Sequence, residues 1–139
     1  MSILDRYLAY ADAFEETYVD DDWSRVGAFF HDDAATTDNS GAEVVGRDAV
    51  MASLKGSVDA FDRKFDQRIP DFQPPSVEGD RITMRWTVTY QKAGVPDLVI
   101  YGVEHVDFEG DRIKRLGGQF DPDAQKAMGE WMAQHGGAL

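Results

Sequence analysis

The chain has 139 residues, a length typical of one folding domain, so we expect a single domain over residues 1–139. It contains no cysteine, which excludes disulfides, thiolate metal sites and a thiol nucleophile. Its formal net charge of −12 disfavours nucleic acid and acidic membrane surfaces as partners, and strongly anionic molecules as substrates.

The first half of the chain predicts three helices and a short pair of strands. Ser2 and Asp5 have the spacing of a capping box at the start of an amphipathic helix of about four turns. This segment does not have the character of a signal peptide, and no apolar run is long enough to span a membrane, so we expect a cytoplasmic protein. In chain order the predicted elements are helices over 2–18 and 22–30, strands over 34–37 and 43–45, and a helix over 46–61.

The second half predicts an antiparallel meander and a closing helix. Residues 81–90 alternate between apolar and polar side chains, as a half-buried strand does. Two similar hexapeptides, 77–82 and 108–113, are interpreted as hairpin turns in which Gly79 and Gly110 supply a positive φ. The predicted elements are strands over 64–72, 81–90, 98–108 and 112–120, followed by a C-terminal helix over 122–135.

Helices at one end of an antiparallel meander predict an α+β fold. The sheet must curve strongly to cover the N-terminal helices, and such a sheet leaves an apolar pocket between the two layers. Six residues are expected to form the walls of this pocket and to contact a substrate there. They are Tyr10, Phe14, Tyr18, Met84, Trp86 and Gly118.

The element order and several motifs resemble the NTF2-like, or SnoaL-like, superfamily over about residues 7–121. The resemblance implies a cone-shaped fold with a curved sheet. It leaves the activity open, because this fold hosts isomerases, dehydratases, cyclases, hydrolases and binding proteins. The motifs that carry it are Trp23, Phe29-Phe30-His31-Asp32-Asp33-Ala34, Gly46-Arg47-Asp48-Ala49-Val50, Gly110-Asp111-Arg112-Ile113 and Phe120-Asp121.

Within the superfamily, the ketosteroid isomerase pattern implies two catalytic residues. Asp38 matches the general base, and Glu104 matches the protonated acid of the oxyanion hole. Phe14 matches the tyrosine of that oxyanion hole but has no hydroxyl group. Tyr10 and Tyr18, one helical turn away on either side, are the candidates to replace it.

Glu104 is also a candidate without the resemblance. It shares strand parity with Val106 and Phe108, so its carboxyl group should face the core, where burial raises the pKa and prepares an acid or a hydrogen-bond donor. The alternative is a solvated glutamate paired with Arg85 or Arg115. Both interpretations stay open.

Asp38 has a similar alternative. It is either a general base or the first residue of a turn over 38–41, in which its side chain accepts hydrogen bonds from the backbone. His31 lies beside two aspartates, but adjacent residues rarely converge on one ion, so we expect no metal site.

Two functions remain in competition. The first is a small cofactor-independent enzyme of the isomerase, dehydratase, cyclase or hydrolase type, acting on an uncharged, mostly apolar molecule with Asp38 as base and Glu104 as proton donor. The second is a non-catalytic module that binds a hydrophobic ligand or another protein. In either case an apolar row on the outer face of the sheet favours a homodimer. The row consists of Val99, Tyr101, Val103 and His105.

Overall fold

Four α-helices and one seven-stranded sheet make up the fold in the computed structural model, which describes residues 2–38 and 40–139. Met1 and Asn39, which the sequence places in the first helix and in the turn over 38–41, lie outside the described residues. The elements are α1 Ile3–Asp20, α2 Trp23–Gly27, β1 Phe30–Thr37, β2 Glu43–Val45, α3 Arg47–Ala60, β3 Gln67–Phe72, β4 Ser76–Glu78, β5 Arg81–Gln91, β6 Leu98–Glu109, β7 Arg112–Phe120 and α4 Pro122–His135.

The predicted α+β fold is confirmed. The sheet has the order β2-β1-β7-β6-β5-β3, and β4 pairs with β5. All neighbouring strands run antiparallel except β1 and β7, which are parallel. The inner face of the curved sheet is covered by the N-terminal helices, and together they enclose the larger apolar core.

Local sequence signals account for the N-terminal ends of the first two helices. The Ser2 hydroxyl accepts a hydrogen bond from the Asp5 amide at 3.1 Å, as expected of an N-cap. The helix α1 then runs for 18 residues, about five turns instead of the four predicted. The Asp22 carboxylate caps α2 by accepting from the Ser24 amide.

The starts of β1 and β3 differ from the prediction, and β4 is an additional strand. The predicted strand over 64–72 begins only at Gln67, because Asp62–Lys64 forms a 3-10 turn. Phe30, predicted at the end of the second helix, begins β1 because it pairs with Ile113 of β7, whose amide donates to the Phe29 carbonyl at 2.8 Å. The strand β4 was predicted as part of a turn, since its three residues are too few to show alternation. The turns themselves are confirmed, with φ of 60° at Gly79 and 64° at Gly110.

The helix α4 closes the other end of the sheet over a second, smaller apolar cluster. The Trp131 ring packs against Phe65 with 5.6 Å between ring centroids, and its indole N–H donates to the Pro96 carbonyl at 2.9 Å. The bounds of α4 agree with the predicted helix over 122–135. None of the helices in the described part of the chain combines the length and the apolar character that a bilayer crossing requires.

A close approach of β6 and β7 depends on glycine. Gly118 lies opposite Glu104 and has a φ of 154°, a conformation that other L-residues rarely adopt. A Cβ atom at this position would lie 2.3 Å from the Val103 carbonyl oxygen. The sequence suggests a bulge at Gly118 or room for a ligand, and the close contact with the β6 backbone supplies a structural reason for this glycine.

The neighbouring Gly117 offers a matched test of this constraint. We expect Gly118→Ala to lower the free energy of unfolding by about 2 kcal/mol or more, because the added methyl group meets backbone and the residue is forced into a strained φ. Gly117→Ala should change it by less than about 0.5 kcal/mol, since a Cβ atom added there would have no neighbouring atom within 4 Å. Urea unfolding of both variants provides the measurement. Equal losses would contradict the explanation.

Candidate active site

A chamber of about 200 Å³ lies between α1 and the inner face of β3, β5 and β6. Its walls are mostly aromatic or apolar, and its polar groups are concentrated on a few side chains. The residues that matter for its chemistry are Tyr7, Tyr10, Phe14, Arg68, Trp86 and Glu104.

The central polar feature of the chamber is a hydrogen bond between α1 and β6. The Tyr7 hydroxyl donates to Oε2 of Glu104 at 2.6 Å and lies 3.3 Å from the sulfur of Met84. Tyr7 is 1% exposed, and Met84 is the cross-strand neighbour of Glu104. The pair joins a carboxyl group to a phenol inside the apolar layer of the fold.

Burial controls the protonation of this pair. Burial raises the pKa of Glu104, and the hydrogen bond from Tyr7, which favours the ionised carboxylate, only partly opposes that effect. The pKa of Tyr7 is raised by burial and by the nearby Glu104 carboxylate, so its hydroxyl keeps its proton. Glu104 is therefore the member of this pair that loses its proton first as the pH rises.

Sequence reasoning left two possible ion-pair partners for Glu104, and the structure commits both elsewhere. Arg85 pairs with Asp121, and Arg115 donates to Glu43 from both terminal nitrogens, with the shorter contact at 2.5 Å. Glu104 instead faces the chamber, as its strand parity predicted.

A second polar group lies at the other end of the chamber. Nη1 of Arg68 donates to both carboxylate oxygens of Glu15, with a shorter contact of 2.7 Å, and its Nε donates to Asp62 at 3.1 Å. The Arg68 side chain is only 9% exposed and also stacks on the rings of Phe14 and Tyr18. The Glu15 and Asp62 carboxylates raise the pKa of Arg68 despite the opposing effect of its burial.

Four of the six predicted contact residues line this chamber, namely Tyr10, Phe14, Met84 and Trp86. Tyr18 lies outside it, because its hydroxyl donates to the Asp62 carbonyl at 3.3 Å and its ring is covered by Arg63 and Arg68. Gly118 borders a separate groove.

The groove that contains Gly118 and Asp38 adjoins the chamber. It has a volume of about 670 Å³, and Glu104 and Trp86 line both spaces. The structure therefore brings Asp38 and Glu104 to one groove but does not bring Asp38 into the chamber. The catalytic role of Asp38 stays a prediction.

Asp38 has the hydrogen bonds of the turn interpretation. Its Oδ1 accepts from the Ser40 hydroxyl at 2.6 Å, the Ser40 amide at 2.9 Å and the Ala42 amide at 3.0 Å. These bonds, that from the Ser40 hydroxyl first, hold the pKa of Asp38 below its ordinary value. A carboxylate stabilised in this way is a weaker base than Glu104.

Tyr7 and Arg68 are chamber residues that sequence reasoning missed. Tyr7 lies on the predicted amphipathic helix two turns before Phe14, whereas the predicted replacements, Tyr10 and Tyr18, are each one turn away. Arg68 pairs across the sheet with Tyr90, whose strand parity is that of the core, so Arg68 points inward too. That signal depends on the strand register, which the sequence does not specify.

Comparisons with known proteins identify the family. The SnoaL-like domain matches residues 8–116. The chain belongs to the SnoaL-like domain family. This assignment confirms the NTF2-like, SnoaL-like resemblance inferred from the sequence motifs. The search of curated proteins gives no significant match.

Solved structures support the fold of this SnoaL-like protein. It is similar to a candidate SnoaL-like polyketide cyclase from Shewanella putrefaciens CN-32, at 12% identity and a TM-score of 0.70, over 97% of this chain and 88% of that one. An NTF2-like protein of unknown function from Burkholderia pseudomallei K96243 is similar at 18% identity and a TM-score of 0.67, over 92% of this chain and 96% of that one. A third similar structure is a protein of ketosteroid isomerase-like fold from Catenulispora acidiphila DSM 44928, in complex with trimethylamine. The two proteins share 16% identity with a TM-score of 0.62, and the match covers 83% of this chain and 87% of that one.

The raised pKa of Glu104 makes the stability of this SnoaL-like protein depend on pH. The folded state keeps the Glu104 proton above the ordinary value of 4.5, so the free energy of unfolding falls as the pH rises from that value through the raised one. Glu104→Gln should remove this contribution, so the variant should gain stability relative to the wild type as the pH rises above 4.5. Urea unfolding at a series of pH values above 4.5 measures the difference.

The control is Glu130→Gln, which changes an exposed glutamate of α4 that forms no salt bridge within residues 2–38 and 40–139. It should keep the pH dependence of the wild type. Parallel curves for the wild type and Glu104→Gln would show that the folded state does not perturb this carboxyl group.

Proposed function

We propose that this protein is an acid–base enzyme that acts on an uncharged, mostly apolar small molecule bound in the chamber. The observation that carries the proposal is the hydrogen bond from Tyr7 to Glu104 in a chamber whose walls are mostly aromatic or apolar. The reaction belongs to the isomerase, dehydratase, cyclase or hydrolase type, in which one proton is removed and another is delivered. The chemistry requires only these side chains and no cofactor.

In this proposal Glu104 transfers the proton. A catalytic acid or base works best when its pKa lies near the working pH, and the burial of Glu104 moves its pKa in that direction. The ionised carboxylate accepts a proton from a carbon atom or a water molecule in the chamber. The protonated form then returns it at a second position. The Tyr7 hydroxyl stabilises the ionised form and fixes the orientation of the carboxyl group.

The presence of Tyr7 also answers a difficulty that the sequence raised. The ketosteroid isomerase pattern requires a hydroxyl on the first helix, and its matching residue here is Phe14. Tyr7 lies two turns earlier on the same helix and supplies a hydroxyl next to Glu104. The hydroxyl thus comes from a different position of the helix than the pattern requires, and it donates to Glu104 itself.

A non-catalytic binding function is the second candidate. The observation that favours it is the state of Asp38, since the residue that the sequence offered as base is bonded into a turn and has a lowered pKa. The chamber then binds a hydrophobic molecule, and the Tyr7–Glu104 pair provides a hydrogen bond for it.

Proton exchange separates the two functions without knowledge of the natural substrate. The ketone 2-tetralone is a suitable probe, because its acidic C–H groups lie next to a carbonyl and exchange in D2O can be followed by NMR. We expect the wild type to accelerate exchange and Glu104→Gln to lower the enzymatic rate by about 100-fold or more, the usual contribution of a general base. Asp38→Asn should lower it by less than about tenfold, because Asp38 lies outside the chamber.

Tyr7→Phe tests the role of the hydrogen bond in the same assay. Loss of this bond removes the effect that lowers the pKa of Glu104, so the rate should begin to rise at a higher pH than in the wild type. Glu130→Gln serves as the control and should leave the rate unchanged. If the wild type binds 2-tetralone but gives no exchange above buffer, the acid–base proposal fails and the binding function remains.

We also propose a homodimer that forms through the outer face of the sheet. Val99 is 42% exposed there, and Tyr101 and Val103 are partly exposed in the same row. Val99→Lys should convert a dimer into a monomer in sedimentation velocity, because a charge would be buried at the interface. Val77→Lys, at an equally exposed apolar residue on β4, should leave the dimer intact. A monomeric wild type would contradict the proposal.

A further inference from the structure

The chamber has polar groups at both ends, and the proposed reaction uses only one of them. Tyr7 and Glu15, which belong to the two ends, are eight residues apart on α1, a separation of about 12 Å along the helix axis. Between them the helix presents Tyr10, Ala11 and Phe14 to the chamber. A ligand that fills the chamber therefore meets aromatic walls along its length and a polar group at each end.

Arg68 has unused hydrogen-bond donors at the end of the chamber opposite Glu104. An arginine side chain carries five N–H groups. Its bonds to Glu15 and Asp62 use Nε and Nη1, and no hydrogen bond among residues 2–38 and 40–139 uses Nη2. The two carboxylates that surround the guanidinium group fix its position, so it can donate to a ligand without first being ordered.

The charges around Arg68 favour a ligand whose group at this end of the chamber is uncharged. One guanidinium faces two carboxylates, Glu15 and Asp62, so the cluster does not carry an excess of positive charge. An anionic ligand would compete with Glu15 for Arg68 and would be repelled by both carboxylates. A hydroxyl or carbonyl oxygen accepts a hydrogen bond from Arg68 without that penalty.

The size and the walls of the chamber restrict the ligand further. A cavity of roughly 150 Å³ holds a benzene molecule, so the present volume of about 200 Å³ suits a molecule of one or two rings. Aromatic side chains such as Tyr10, Phe14 and Trp86 favour flat ligands, because ring faces and edges pack well against one another.

We propose that Arg68 and Glu15 form a second recognition point, and that the chamber selects uncharged planar molecules of one or two rings with a hydroxyl or carbonyl group at each end. The inference rests on the proposed function, because it takes the Tyr7–Glu104 pair as the reacting end. Arg68 holds the distal end of the substrate and thereby positions the reacting atoms beside Glu104.

Three naphthalene probes test this selection by isothermal titration. The wild type should bind 2,6-dihydroxynaphthalene about tenfold more tightly than 2-naphthol, since a hydrogen bond to a charged donor is added at the far end. Arg68→Met should reduce the ratio of the two affinities to below about twofold. Arg63→Met removes an arginine that stacks on the same Tyr18 ring outside the chamber, and it should keep the wild-type ratio.

Glu15→Gln keeps the proposal testable if Arg68→Met does not fold. The variant removes one negative charge beside Arg68, so 6-hydroxy-2-naphthoate should bind at least about tenfold more tightly to it than to the wild type. The proposal is overturned if the wild type binds the mono- and dihydroxy probes equally. It is also overturned if Glu15→Gln leaves the affinity for the naphthoate unchanged.

The two proposals fail in different ways. If the wild type binds 2,6-dihydroxynaphthalene and 2-naphthol with nearly equal affinity while Glu104→Gln still abolishes proton exchange, the proposal of a second recognition point is wrong and the enzyme proposal stands. If the ratio is about tenfold but the wild type gives no exchange, the chamber is a selective binding site without turnover.

Discussion

A carboxyl group that faces an apolar chamber needs a hydrogen-bond partner, and the hydroxyl of Tyr7 meets that need for Glu104. The bond at 2.6 Å joins the first helix to a central strand, and together with the packing of the apolar core it holds α1 against the sheet. Because α1 also forms one wall of the chamber, this contact contributes to the shape of the space in which any ligand would lie. The rest of the candidate site is arranged around this contact.

The strands beneath the pair are brought unusually close by glycine. Gly118 lies opposite Glu104, and Gly102 is two residues away along β6, opposite Phe120. A Cβ atom at either glycine would lie 2.3 Å from a carbonyl oxygen of the partner strand. The strand that carries Glu104 is therefore held close to β7 at this level, where Glu104 and Trp86 line both the chamber and the groove that contains Asp38.

The chamber and the groove explain why two carboxylates that suggested one mechanism have different surroundings. Glu104 is desolvated and its pKa is raised, whereas Asp38 accepts three hydrogen bonds in a turn and its pKa is lowered. Burial favours the neutral form of a carboxyl group, and hydrogen bonds from N–H and O–H donors favour the ionised form. A proton-transfer role therefore suits Glu104 better, although both residues border the same groove.

The family, the α+β fold, most helix and strand positions and the inward direction of Glu104 can all be predicted from the sequence. The family follows from motifs that resemble those of its members. The other features follow from local signals, namely helix caps, alternation along β5 and β6, and glycine in tight turns. Tertiary packing selects the hydroxyl group that meets Glu104, because that choice depends on how α1 is rotated over the sheet. It also turns Arg68 inward, since the direction of this side chain follows from pairing with Tyr90 across the sheet, and local periodicity carries no information about a partner 22 residues away.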